Sequence, residues 1–210
     1  ISSDGTSIVQ VDTLEHDTVR GQHNSLVHVD SDTYALAYTG EDEDGFISTF
    51  TIDSDGNITA VKTQSEGNNL EHDADQGVAS VLHNSLVKVD SNTIALAYAG
   101  AGEDGFISTF TISSSGVITP IQIQNHANTS EEDDVANIEH DEERGMENSL
   151  VQVDSDTYAL AYEGKDKDGF ISTFTISSDG SSIVEVENLE HDTDVGQYNS
   201  LVQVDSDTYA

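Results

Sequence analysis

Two motifs in this sequence carry residue types that could do chemistry, and both recur. A Glu-His-Asp triplet stands at residues 15–17, 71–73, 139–141 and 190–192. An imidazole flanked by carboxylates offers ligands to Zn²⁺ or another transition metal, so His16, His72, His140 and His191 are candidate metal ligands. The second motif is the acidic turn Glu41-Asp42-Glu43-Asp44-Gly45-Phe46, echoed by Lys165-Asp166-Lys167-Asp168-Gly169-Phe170. Oxygen ligands on alternate residues, followed by a Gly that lets the chain turn sharply, suit Ca²⁺. Asp42, Asp44, Asp166 and Asp168 are therefore candidate calcium ligands, and calcium is the one cofactor suggested.

Each motif also has a plainer reading. Asp and Gly serve hairpin turns through their backbone preferences alone. The second copy of the turn reads Gly102-Glu103-Asp104-Gly105 and keeps one matching Asp, while Lys165 and Lys167 put positive charge where a cation would sit. A residue repeated in every unit of a repeat protein is first a packing residue, and that role is expected for the four histidines. A Gly follows each triplet at a fixed interval, at Gly21, Gly77, Gly145 and Gly196. The pattern reads as the connection from the outer strand of one unit to the inner strand of the next.

No other catalytic constellation is visible. There is no Gly-x-Ser-x-Gly elbow, no phosphate-binding Gly loop and no Cys. With 41 Asp and Glu, neighbouring carboxylates arise by chance and do not argue for a glycosidase. Nearly identical units do not assemble one site from dissimilar residues, so the expectation is a chain that is not an enzyme. The rival is a metal-dependent hydrolase or lyase using one Glu-His-Asp, its site shaped by the insertions at Gln64–Gly67 and His126–Val135. His23 and His83 precede Asn24 and Asn84, but Glu147 and Tyr198 hold that position in the other units. These four do not read as a set. Tyr34, Tyr38, Tyr98, Tyr158 and Tyr162 could stack on sugar rings, but their alternation places them in a core.

The elements that must position these residues come from the repeats. The interval from Asn24 to Gly56 recurs unchanged from Asn84 to Gly116 and from Asn148 to Gly180, and all length variation falls after that Gly. A fixed core with a variable connection is what a packed unit plus a surface loop should give. Within one unit four strands are expected: Ser25 to Val29, Thr33 to Tyr38, Phe46 to Ile52, and Ile58 to about Lys62. Each is bounded by Asp, Ser and Gly clusters of the hairpin kind. Only Ser130 to Glu147 could hold a helical turn.

Side chains alternate along a strand. In the second strand Tyr34, Leu36 and Tyr38 share one face and Ala35 and Ala37 the other. Such a sheet can stack on copies of itself, bulky face into small face, as the blades of a propeller do. The fold class expected is all-β, a β-propeller built from four-stranded antiparallel blades. Full blades fall at about 24–62, 84–123 and 148–187, within one array over 1–210. Ile1 to Val11 read as a lone fourth strand, and 199–210 as a first strand and part of a second. A longer parent protein is one expectation from these ends. The end pieces could close a fourth blade within one chain, or a pair of chains could close as eight blades. Open blade edges also invite a homo-oligomer.

The acidic turn resembles the calcium-loop propeller repeats of the integrin type, with their Asp-x-Asp-x-Asp-Gly pattern; Gly40 or Gly164 and Ser48 or Ser172 depart from it. The Glu-His-Asp loop resembles WD-repeat propellers, and that resemblance implies that His16, His72, His140 and His191 hydrogen-bond within their own blades. The Trp-Asp dipeptide is absent. The array as a whole is similar to acidic repeat proteins of marine microbes.

Charge bounds the partners. The formal net charge is −35, with six Lys and Arg. Nucleic acid is excluded, because binding phosphates needs a basic surface, and an anionic membrane would repel the chain. Salt-rich surroundings, such as seawater or the outside of a cell, screen such a surface. An extracellular or cell-surface binding module for a protein or carbohydrate ligand is the functional expectation.

Overall fold

The computed structural model describes residues 4–61, 69–73, 81–122, 137–206 and 208–210. The chain is a β-propeller array of four-stranded antiparallel blades. In the first blade β1 (Gln22–Asp30), β2 (Thr33–Thr39) and β3 (Gly45–Ile52) pair in order. The fourth ribbon comes in two pieces, β4 (Ile58–Ala60) and β5 (Asn69–Asp73), both paired with β3. The second blade repeats this with β6 (Leu82–Lys88), β7 (Thr93–Ala99), β8 (Gly105–Ile112), β9 (Ile118–Pro120) and β10 (Asn137–Asp141). In the third, β11 (Met146–Gln152), β12 (Thr157–Glu163) and β13 (Gly169–Ile176) are followed by one unbroken outer strand, β14 (Ile183–Asp192). A two-stranded piece, β15 (Gln203–Asp205) with β16 (Thr208–Tyr209), begins a fourth unit. Among the described residues the blades do not close into a ring.

The fourth strand therefore runs further than the sequence suggested. Three of the four Glu-His-Asp triplets lie in the outer strands β5, β10 and β14 rather than in the connection beyond them, and the first, at 15–17, lies in no strand. Between residues 130 and 147 the described part is strand at Asn137–Asp141 and again from Met146, where a helical turn was expected. At the start of the chain, residues 6–14 form no strand, because no third strand stands beside them.

The stacking follows the alternation. One core cluster joins Ala35, Ala37 and Ile47, on the small face of the first blade, to Ile94, Leu96, Tyr98, Phe110 and Ile112 of the second. The other joins Ala95, Ala97 and Ile107 to Tyr158, Leu160, Tyr162, Phe174 and Ile176 of the third. Alanine on one face is what lets a neighbour's aromatic rings reach the sheet. Each large side chain buried there contributes about 1.5–3 kcal/mol.

Side-chain hydrogen bonds fix the offset between blades. The Ser25 hydroxyl accepts the Leu86 N–H at 2.8 Å, Ser85 accepts Leu150 N–H at 2.9 Å, and Ser149 accepts Leu201 N–H at 2.9 Å. On the outer side Thr49 donates to the Gly116 carbonyl at 2.9 Å and Thr109 to the Gly180 carbonyl at 2.7 Å. Gly56, Gly116 and Gly180 end the Ser-rich turns at φ 87°, 77° and 71°, a backbone region open to Gly at no steric cost.

Candidate functional site

Two of the triplet histidines, His72 and His140, are wedges between blades. In an extended strand Glu71 and Asp73 would share a face, but the register shifts between Gly45 and Phe46, so β5 bulges at His72. The ring meets Tyr98 of the next blade edge-on at 4.8 Å, and His140 meets Tyr162 the same way at 4.8 Å. His16 meets Tyr38 at 4.6 Å. On their other side the rings lie over a glycine. A Cβ at Gly45 would fall 2.6 Å from His72 Cε1, and one at Gly105 would fall 2.3 Å from His140 Cε1. His72 and His140 are 2% and 8% exposed, and neither ring nitrogen of either has a hydrogen-bond partner. Burial pushes both imidazoles down to about 3, so they are neutral at ordinary pH. They hold the stack as apolar rings, where the resemblance to WD repeats implied hydrogen bonding. His191 is exposed.

The interval to the following Gly is not uniform in space. Gly145 and Gly196 donate their N–H to the carbonyls of Glu103 and Lys167, both at 2.8 Å. In the first connection Val81, not Gly77, makes this bond, to Glu43 at 2.9 Å. Gly77 lies outside the described residues, as do the insertions Gln64–Gly67 and His126–Val135.

The acidic turns are closed by their own backbone. Gly40 N–H reaches Asp44 carbonyl at 2.9 Å, and Gly164 N–H reaches Asp168 at 2.9 Å. Asp42 and Asp166 sit at φ 55° and 58°, and Gly102 holds the equivalent place at φ 81°. Asp tolerates this left-handed backbone better than most residues, so backbone geometry accounts for Asp42 and Asp166. Asp44 and Asp168 lead into β3 and β13. Among the described residues no three His, Asp or Glu side chains converge to hold a metal ion. The calcium ligand set Asp42, Asp44, Asp166 and Asp168 and the metal set His16, His72, His140 and His191 are not brought together. Four of the five tyrosines considered as sugar platforms are core, Tyr38, Tyr98, Tyr158 and Tyr162 being at most 1% exposed, while Tyr34 is half-buried.

Another group does come together. His23, His83, Glu147 and Tyr198 each open an inner segment in left-handed backbone, at φ 50°, 57°, 54° and 60°. Register shifts at Gln22/Ser25, Leu82/Ser85 and Met146/Ser149 turn three of them toward one line. The rings of His23 and His83 lie 4.7 Å apart, and His83 Nδ1 is 3.5 Å from Glu147 Oε2. Burial, then the neighbouring His23, lowers His83 to about 4; burial, then Glu163, raises Glu147. Arg144 stands beside them, paired with the buried Glu163 and with Glu103. The sequence held the signal for this row: one repeat position, different residues. Strained, non-repeating residues on a repeating frame are where binding sites concentrate.

A second opening lies outside the wedge. A groove of about 430 Å³ between the second and third blades is lined by Asp141, Glu143, Tyr162, Lys165, Glu185 and Asn188, among others. Asn188 donates to the Tyr162 hydroxyl at 2.8 Å, and Lys165 pairs with Glu143 at 2.8 Å.

No protein-family model and no curated protein matches this chain. Among solved structures it is similar to Sqt1 of Saccharomyces cerevisiae, with a TM-score of 0.47 and 11% identity over 85% of this chain and 38% of that one. It is also similar to a glycoside hydrolase family 43 arabinoxylan arabinofuranohydrolase from Bacillus subtilis, crystallised with cellotetraose, with a TM-score of 0.41 and 11% identity over 80% of this chain and 36% of that one. The chain thus spans little more than a third of either structure's length. The second likeness overturns the expectation that the chain is not an enzyme, since a hydrolase stands among its structural neighbours. The propeller architecture rests on the chain's own antiparallel blades.

Proposed function

We propose that the chain is a ligand-binding or scaffolding propeller of a secreted or surface protein. The observation that carries this reading is the row of His23, His83 and Glu147. The blades share one packing frame, and the side chains that differ between blades are gathered at adjoining positions on it. A protein ligand suits that row, which offers two neutral imidazoles, a carboxylate and Arg144. A carbohydrate suits the groove at Lys165, Glu185 and Asn188, where ammonium, carboxylate and amide groups meet the ring of Phe170. The net charge of −35 keeps such a protein dispersed in salt-rich surroundings.

The test is a glycan array and a surface-protein panel, each probed with the wild type and with His23→Ala/His83→Ala. Binding that the double variant loses supports the row. Binding that it keeps and Asn188→Ala loses moves the site to the groove. No binding in either panel overturns the proposal. Every bound glycan is then recovered and checked for cleavage, because a cleaved product would make the site catalytic.

A further inference from the structure

His23 and His83 stand near the start of the inner strands β1 and β6 in adjoining blades, and their rings meet with centres 4.7 Å apart and planes inclined by 58°. Packing does not ask for histidine at this position, since Glu147 and Tyr198 hold it in the other units. One side-chain bond fixes the pair. Asn24, Asn148 and Asn199 each donate to the carbonyl of the Gly three residues earlier. Asn84, which has Val81 where they have Gly, donates instead to the His23 carbonyl at 3.2 Å. The strand that carries one ring is thereby tied, across the seam between blades, to the backbone that carries the other.

The spacing suits a shared ion. With metal–nitrogen bonds of about 2.0–2.1 Å and ligand angles of about 90–110°, two imidazoles on one metal have ring centres about 4.5–5.2 Å apart. His83 Nδ1 lies 3.5 Å from Glu147 Oε2. A ring that turns its Nδ1–H toward a carboxylate keeps the Nε2 lone pair for a metal, and ligating histidines commonly have such an outer partner. Burial lowers both imidazoles, His83 to about 4, so both carry free lone pairs at neutral pH. Arg144 stands nearby with its charge offset by Glu103 and Glu163. The net charge of −35 draws cations toward the chain. Among the described residues no third side chain converges on the pair as a ligand, so solvent takes the other positions.

We infer that His23 and His83 together hold one divalent transition ion, Cu²⁺ ahead of Zn²⁺, through one ring nitrogen each. Glu147 orients the His83 ring, and the positions left to solvent accept a donor atom from the bound partner. Copper leads because affinity at nitrogen sites peaks at Cu²⁺ among the first-row divalent ions. The inference rests on the reading of this row as a binding site, and it names what the row presents to a partner: open coordination positions on a metal.

Isothermal titration of the full chain with Cu²⁺, in excess Mg²⁺ to occupy the surface carboxylates, reads the site directly. One ion per chain is expected, with a dissociation constant of about 1–10 μM. His23→Asn and His83→Asn suit the left-handed backbone at φ 50° and 57°. Each should weaken binding about tenfold or more, since even the outer partners of a ligand are worth that much. His28→Asn, at an exposed histidine outside the row, should leave it unchanged. Electron paramagnetic resonance of the copper-loaded chain should show two equatorial nitrogens in the wild type and fewer in either row variant. A wild type that takes up no copper in this range overturns the inference, as do row variants that bind as tightly as the wild type or a wild-type spectrum with fewer than two nitrogens. Copper uptake is read on the chain alone, so its failure leaves the glycan and protein panels to stand or fall by themselves.

Discussion

His72 and His140 make stability depend on pH in a way that can be worked out in advance. Both are buried and neutral when folded, with protonation depressed to about 3, whereas an unfolded imidazole titrates near 6.5. Above 6.5 neither state takes up the proton and the two groups leave stability unchanged. Between 6.5 and about 3 the unfolded chain binds protons that the folded chain does not, so stability falls as pH falls. At 1.36 kcal/mol per pH unit for each histidine, lowering the pH from 7 to 5 costs about 2 kcal/mol apiece, or about 4 kcal/mol together. The perturbation is the double variant His72→Leu/His140→Leu, which keeps apolar bulk in each seat and removes both proton sites. Urea unfolding followed by circular dichroism at pH 7, 6 and 5, at matched ionic strength, gives the free energy of each protein. Carboxylates titrate alike in both, so the difference between the two pH slopes isolates the histidines. Parallel slopes would show that these rings are not buried wedges, and the account of the seam would fail.

Gly105→Ala should cost about 3 kcal/mol, because its Cβ would lie 2.3 Å from His140 Cε1 and 2.8 Å from the Gly145 backbone; urea unfolding reads it. Thr109→Val should cost about 1–2 kcal/mol by leaving the Gly180 carbonyl without its 2.7 Å donor, measured the same way. Arg144→Ala strands the buried carboxylate of Glu163 and should cost about 3 kcal/mol or more, a loss that Glu163→Gln in the same chain should partly restore. Ala97→Leu should lower the thermal midpoint by several degrees, since it overfills the seam against Leu160 and Tyr162 at a cost of about 1–3 kcal/mol.

The stacking was legible because it rests on period two. Tyr34-Ala35-Leu36-Ala37-Tyr38 shows a bulky and a small face to any reader of alternation, and the two core clusters follow it. The triplets were misplaced for a physical reason. Glu-His-Asp looks like a polar connection, but the bulge at His72 sends the ring inward while its backbone stays in the ladder. Val81 was missed because the fixed spacing to Gly77 hid an insertion, and only the hydrogen bond to Glu43 shows which residue holds the seat. The repeat position shared by His23, His83 and Glu147 was visible, but they did not read as a set because they share a backbone conformation rather than a side-chain type.

The bonds from Ser25 to Leu86 and from Thr49 to Gly116 run from one unit to the next and never skip one. The joints in the stack consequently share the same Ser and Thr bonds. A gene that gains or loses a whole unit by unequal crossing-over would leave each remaining joint with its full set of partners. Only the curvature left for closure would change. Such a chain can vary in length across generations without passing through a misfolded intermediate, and the near-identity of its units is the trace such a history would leave.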